Sequence, residues 1–268
     1  MNAIVLSGGG DKGAFTVGVI KKLLEQGNNY DIITGTSTGA LITPLLAADE
    51  IETLERIYTS VKKSDILNTD FPVVRAMRGN SMYDVSPLKK LVNQTITQDI
   101  YEKIMNSEKQ IFISTICLNN GRLVYFTNSD RVKGQNWNYR RVTIDSNDVI
   151  TASEVNWLKG NYKYDVVKLK NRSHLIEAVI ASSVQPVIMQ PERILGESFV
   201  DGGLKEYLPI DVAIDAGATN ITGILTKRDW REYDSNEYNN IVDILLKTID
   251  VFSGDVGFND LRLAQLYN

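Results

Sequence analysis

Ser37 sits in Gly35-Thr36-Ser37-Thr38-Gly39, a G-x-S-x-G pentapeptide that directly follows the apolar Ile32-Ile33. A serine between a strand and a helix occupies a sharp turn, and glycines on both sides let the backbone make it. Such a turn presents the hydroxyl and aims a helix N-terminus at the reacting atom, which suits a serine nucleophile. Three fixed positions recur by chance in about one chain in ten of this length. The same residues also form a helix-capping turn with Ser37 or Thr38 as N-cap. Two further segments decide between these readings. The first is Ser7-Gly8-Gly9-Gly10-Asp11-Lys12-Gly13, between the strand-like Ala3–Leu6 and an amphipathic run. Unshielded backbone N–H groups on consecutive glycines can stabilise a developing oxyanion. The spacing Gly8, Gly10, Gly13 also satisfies the dinucleotide fingerprint, which needs an acidic residue at the end of the second strand. That strand instead ends in Gly35-Thr36-Ser37, with Asp31 at its start, and no Gly-Lys-Ser/Thr follows the glycines as a Walker loop requires. The second segment is Phe199-Val200-Asp201-Gly202-Gly203. It reads either as an ordinary Asp-Gly turn or as a short strand that carries a carboxylate to Ser37.

The chain has a single histidine, His174, ahead of the apolar run Leu175–Ile180. A relay of the α/β-hydrolase type runs Ser, acid, His along the chain, whereas His174 precedes Asp201. Either His174 works in an unfamiliar order, or a carboxylate takes the Ser37 proton directly; the unremarkable alternative is a helix N-terminal or surface histidine. A carboxylate near pKa 3.9 is a weak base for a hydroxyl, but it can accept the proton as attack proceeds if an anion hole holds the tetrahedral charge. Esters suit this arrangement better than amides, because their leaving group needs less acid assistance.

Together these segments resemble the patatin-like phospholipase family, which carries a Gly-Gly-Gly-x-Arg/Lys-Gly loop, a G-x-S-x-G elbow and a distant Asp-Gly-Gly/Ala. Ala181-Ser182-Ser183-Val184-Gln185-Pro186 is similar to the family's Ala-Ser-x-x-x-Pro segment, and the resemblance runs from Met1 to about Thr226. It departs at Ile116-Cys117-Leu118, where relatives often read Thr-Asp-Leu. The resemblance implies a Ser37–Asp201 dyad and an oxyanion hole of Gly8, Gly9 and Gly10. Lys12 takes the basic position, with Thr38, Gly39 and Gly202 in support. It implies a phospholipase A-like acyl hydrolase with no cofactor and no metal, acting on phospholipid or other acyl esters with peripheral membrane contact. A soluble serine esterase is the runner-up. A non-catalytic nucleotide-binding or interaction module is the alternative of another class.

Composition fits one globular α/β unit of 268 residues that is 43% hydrophobic. The lone cysteine, Cys117, lies in an apolar run and reads as a buried core thiol. With 33 acidic against 29 basic residues the net charge is −4, which argues against general affinity for nucleic acid or anionic membrane. No secretory signal or spanning segment is visible, so a cytoplasmic protein, at most peripheral on membranes, is expected.

The elements that must position these residues alternate strand and helix over the first 48 residues. That pattern reads as parallel βαβ units in a three-layer fold with a mostly parallel central sheet. Helices are expected at Ala14 to Gln26, Thr38 to Ala47, Glu50 to Val61, Ser86 to Thr95, Arg172 to Ser183, Leu208 to Ala216 and Asn240 to Phe252. A hairpin is expected around Asn119-Asn120-Gly121, and a strand from Asn220 to Thr226. Phe71 to Arg78 reads as a loop packed on the core or a lipid-facing flap, with Phe71, Val73 and Met77 as apolar contacts. Residues 129–170 read as a polar peripheral insertion within a single domain. Lys227 to Asn240 reads as a solvated loop.

Overall fold

The computed structural model describes residues 1–68, 83–132, 135–144, 150–159, 163–227, 238 and 240–266. The first four strands are β1 (Asn2–Leu6), β2 (Ile32–Gly35), β3 (Gln110–Cys117) and β4 (Arg122–Thr127). They are followed by β5 (Gln135–Ile144), β6 (Ile150–Lys159), β7 (Tyr164–Lys168), β8 (Glu192–Ile194), β9 (Glu197–Asp201) and β10 (Asn220–Ile224). They form one sheet in the order β10-β1-β2-β3-β4-β7-β6-β5, with β9 added to β3 and β8 to β9. The block β10-β1-β2-β3 is parallel throughout. Antiparallel ladders begin at the β3–β4 hairpin. The expected layered α/β fold is present, with a central sheet that is mostly parallel across the block carrying the site.

Alternation along the strands builds two cores. Ile4, Leu6, Ile33, Ile111 and Ile113 face one side. There they meet α1 (Gly13–Glu25), α2 (Thr38–Ala47), α3 (Ile51–Ser60), α4 (Ser86–Thr95), α5 (Gln98–Asn106) and α6 (Arg172–Ser183). Ala3, Val5, Ile32 and Phe112 face the other side, towards α7 (Ile210–Asp215). A period of two places successive side chains in different layers, so strands buried on both faces read as continuous apolar runs. This is why β1 and β3 show no polar alternation.

Most boundaries agree with the sequence reading to within two residues. Helix α5 was not expected; its start is marked by Thr97, whose side chain accepts the Ile100 N–H at 3.3 Å. The stretch 129–170 is more than a decorated loop. It holds the β5–β6 hairpin, and β7 at its end is an interior strand, parallel to β4 and with four of its five residues buried. Tyr164 and Val166 join the second core. The last helix, α8 (Ile241–Leu266), runs well past the expected Phe252. Gly257 within it serves close packing: a Cβ there would lie 3.0 Å from the Tyr207 ring. The proposed flap contacts Phe71, Val73 and Met77, and most of the 227–240 loop, lie outside the described residues.

Candidate active site

The site forms where two strands meet end to end along β3. Strand β4 occupies one edge of β3 from Phe112 to Cys117. On the other edge β2 pairs with the first half, ending with Gly35 opposite Ile113, while β9 runs the other way and ends with Asp201 opposite Thr115. Two residues of strand span about 7 Å. The ends of β2 and β9 therefore face each other across a gap the size of one side-chain interaction. Ser114 lies at the gap: its hydroxyl bonds Thr36 Oγ1 at 2.6 Å, and Thr36 Oγ1 also donates to the Glu206 carbonyl at 3.0 Å. A Cβ on Gly202 would come within 2.8 Å of the Ser114 carbonyl carbon, so glycine permits this approach.

Ser37 has φ 56° and ψ −119°, a left-handed conformation that a non-glycine residue rarely adopts. Such strain is of the order of 1–3 kcal/mol and persists only where the surroundings enforce it. Helix α2 starts at once, with the Ala40 N–H bonding the Ser37 carbonyl at 2.9 Å. Thr38 Oγ1 donates to the Gly10 carbonyl at 3.0 Å and ties the elbow to the glycine loop. Gly39 packs against Leu6, leaving only 2.8 Å between a notional Cβ and the Leu6 carbonyl carbon.

Asp201 is buried and accepts the Gly203 N–H at 2.8 Å. Its carboxylate shares the wall of one basin with Ser37. Burial pushes its pKa up to about 6, while the Ser37 hydroxyl and the Gly203 N–H pull it down. A carboxyl poised there is a far better proton acceptor near neutral pH than an exposed aspartate.

The glycine loop is held by its carbonyls. Ser7 Oγ donates to the Gly8 carbonyl at 2.8 Å, and Thr226 Oγ1 donates to the same oxygen. The Gly8 N–H bonds the Tyr207 carbonyl at 3.3 Å, whereas Gly9 and Gly10 line the basin. Gly8 contributes fit instead, since a Cβ would lie 2.9 Å from the Tyr207 ring and 3.2 Å from Ser37 Cβ. Gly10 has φ +56° with open space around it. Lys12 is exposed at the rim.

Two cavities adjoin the elbow. A polar basin of about 260 Å³ contains Ser37, Asp201, Gly9, Gly10, Lys12 and Lys227 on its walls. Helix α8 closes one side of the basin with Leu246, Ile249 and Ser253. An apolar cavity of about 90 Å³ runs between α2, α3 and α4, lined by residues such as Leu41, Leu54, Ile57, Leu88 and Val92. Gly10 lines both. The sequence reading placed neither Lys227 nor the expected C-terminal helix at the site. Lys227 Nζ bonds the Asp250 carboxylate at 3.0 Å and sits 5.0 Å from the Tyr207 ring centroid. Asp260 accepts the Tyr207 and Leu208 N–H groups at 2.9 and 3.0 Å. No local motif signals these contacts, which arise because α8 folds back over the site.

His174 is elsewhere. It is buried in the first turn of α6, edge-on to Phe126 with centroids 5.2 Å apart. Its Nδ1 accepts the Lys170 N–H at 3.4 Å, and its Nε2 has no partner among the described residues. Burial first, and Lys170 second, lower its pKa. No group of three potential metal ligands was found among the described residues, and no described helix is long and apolar enough to cross a membrane.

A stretch of 85 residues is 36% identical to mouse (Mus musculus) patatin-like phospholipase domain-containing protein 7, covering 29% of this chain and 6% of that protein. Another of 60 residues is 48% identical to a lysophospholipase of Kluyveromyces lactis, covering 22% of this chain and 4% of that one. The chain therefore spans a small fraction of the length of these relatives. The solved structure of VipD from Legionella pneumophila aligns over 75% of this chain and 45% of its own, at 17% identity and a TM-score of 0.34. The model of the family described as patatin-like phospholipase matches residues 4–214, from the first strand through Asp201 to the end of α7. The chain is a member of the patatin-like phospholipase family.

Proposed function

We propose that this chain hydrolyses acyl esters of phospholipids or lysophospholipids, with Ser37 as nucleophile and Asp201 as its sole general base. The observation that carries the reading is the buried Asp201 carboxylate and a strained elbow serine on the wall of one basin. Ser37 Oγ attacks the acyl carbon as its proton passes to Asp201. The Gly9 and Gly10 N–H groups and the N-terminus of α2 hold the oxyanion. Collapse expels the alcohol, which takes the proton from Asp201. Water then attacks the acyl-enzyme, its proton passing to Asp201, and release of the fatty acid returns that proton to Ser37. The two cavities suit the two halves of such a substrate. The apolar cavity takes the acyl chain, and the basin, with Lys12 and Lys227 on its walls, takes the polar alcohol.

The test is mass spectrometry of lipid products after incubation with phosphatidylcholine and lysophosphatidylcholine vesicles, alongside a fluorophosphonate probe. Fatty acid release and labelling that both vanish in Ser37→Ala support the proposal. Labelling with turnover confined to short soluble esters points to the esterase alternative. Absence of both overturns the enzymatic reading.

A further inference from the structure

We infer that the C-terminal end of α6 is the jig that sets the separation of Ser37 and Asp201, with Ser182 as a positioning residue for the nucleophile. This inference rests on the hydrolase reading above. The end of α6 touches both partners through their main chains. Ser182, fully buried, accepts the Ser37 N–H on its Oγ at 3.0 Å. Two residues on, the Val184 carbonyl accepts the Asp201 N–H at 2.9 Å. Ser183 Oγ adds a bond to the Val179 carbonyl at 2.9 Å and a long contact of 3.5 Å to the Ser37 carbonyl.

Each residue of Ala181-Ser182-Ser183-Val184-Gln185-Pro186 then has a physical task. Ala181 is fully buried against the core. Ser182 supplies an acceptor to an N–H that the elbow conformation turns away from its own helix. Val184 leaves the helix with φ −88° and ψ 104°, so its carbonyl is free to take Asp201. Pro186 disfavours a helical Gln185 and enforces that exit. Without Ser182 the Ser37 N–H has no partner, and the left-handed elbow loses one of the bonds that over-determine it.

The experiment is Ser182→Ala in the full chain. Expected is a fall in kcat of about 10–100-fold with KM within about two-fold, the signature of lost transition-state alignment rather than lost binding. The rate of fluorophosphonate labelling of Ser37 should fall with it. The acid limb of the pH–rate profile should move to higher pH, because the Ser37 hydroxyl that pulls the Asp201 pKa down is displaced. A merely structural role would not do this; Ile20→Val, a core change on α1 away from the site, should lower thermal stability and leave both the labelling rate and the limb in place. If Ser182→Ala does not fold, Ser182→Cys carries the test: sulfur is a weak acceptor of similar size, so partial loss supports the jig. A labelling rate and limb within experimental error of the unsubstituted chain, in either variant, overturn it and leave the dyad standing. Absence of labelling in the unsubstituted chain overturns the hydrolase reading and this assignment with it.

Discussion

Helix α6 has two ends with opposite consequences. Its first turn holds the chain's only histidine, the side chain best suited by type to general-base work, packed against Phe126. Its last turn holds Ser182, by type an unremarkable hydroxyl, bonded to the Ser37 N–H. Eight residues of helix separate them, about 12 Å along the axis. Placement, rather than intrinsic reactivity, decides which end matters for chemistry. Burial reinforces the contrast. It lowers the His174 pKa and keeps the ring neutral, while the same effect lifts Asp201 to about 6 and makes it a competent base.

Substitutions at the two places should separate sharply. Ser37→Ala and Asp201→Asn should have the largest effects, each lowering kcat/KM by about 10⁴-fold or more in steady-state assays, as expected when the nucleophile or its proton acceptor is lost. Both proteins should stay folded by circular dichroism. A histidine-dependent mechanism would instead give the same loss in His174→Ala.

Gly10→Ala comes next, with a loss of about 10²-fold in kcat as the loop donor is displaced. It is a cleaner probe than Gly9→Ala, whose Cβ would come within 2.9 Å of Thr226 Cβ and disturb the loop itself. Gly10→Ala still carries about 1–2 kcal/mol of left-handed strain, which chemical denaturation should report. Turnover that falls no further than this strain can explain would remove the loop from the anion hole.

A subtler effect lies in stability. The folded pKa of Asp201 is raised from 3.8 to about 6, so its stabilising contribution is complete below pH 3.8 and is lost as pH rises through about 6. Asp201→Asn should therefore stabilise the protein at pH 7, by roughly 3 kcal/mol, and gain little at pH 4. Urea unfolding of both proteins at the two pH values checks this. In activity, the unsubstituted enzyme should lose rate as pH falls through about 6, when the base is protonated. A neutral imidazole would give a limb close by, so the variants outrank the titration.

The smallest effect on turnover is expected for His174→Ala, less than about three-fold, with a stability loss of about 1–3 kcal/mol from the emptied space beside Phe126. Turnover near the unsubstituted level together with a lowered melting temperature would complete the contrast between the ends of α6.

Local chemistry made much of this legible in the chain itself. Glycine is strongly favoured where the backbone adopts positive φ or approaches another strand closely, so Gly35, Gly39, Gly10 and Gly202 announce the elbow, the loop and the acid turn. Continuous β-branched runs announce buried strands, and the alternation of strand and helix announces the layers. Three things were decided only by tertiary structure. The meeting of β2 and β9 on one edge of β3 joins residues 166 positions apart, and nothing in either segment states the register that puts Gly35 two residues from Asp201. Helix α8 covers the basin through Asp260 and Gly257, where glycine permits a close contact with the Tyr207 ring. The Gly8 N–H is taken by the Tyr207 carbonyl, 199 residues away, a contact the glycine run itself does not announce. A residue type says which bonds it can make, but hydrogen bonds between distant segments depend on how the whole sheet is assembled.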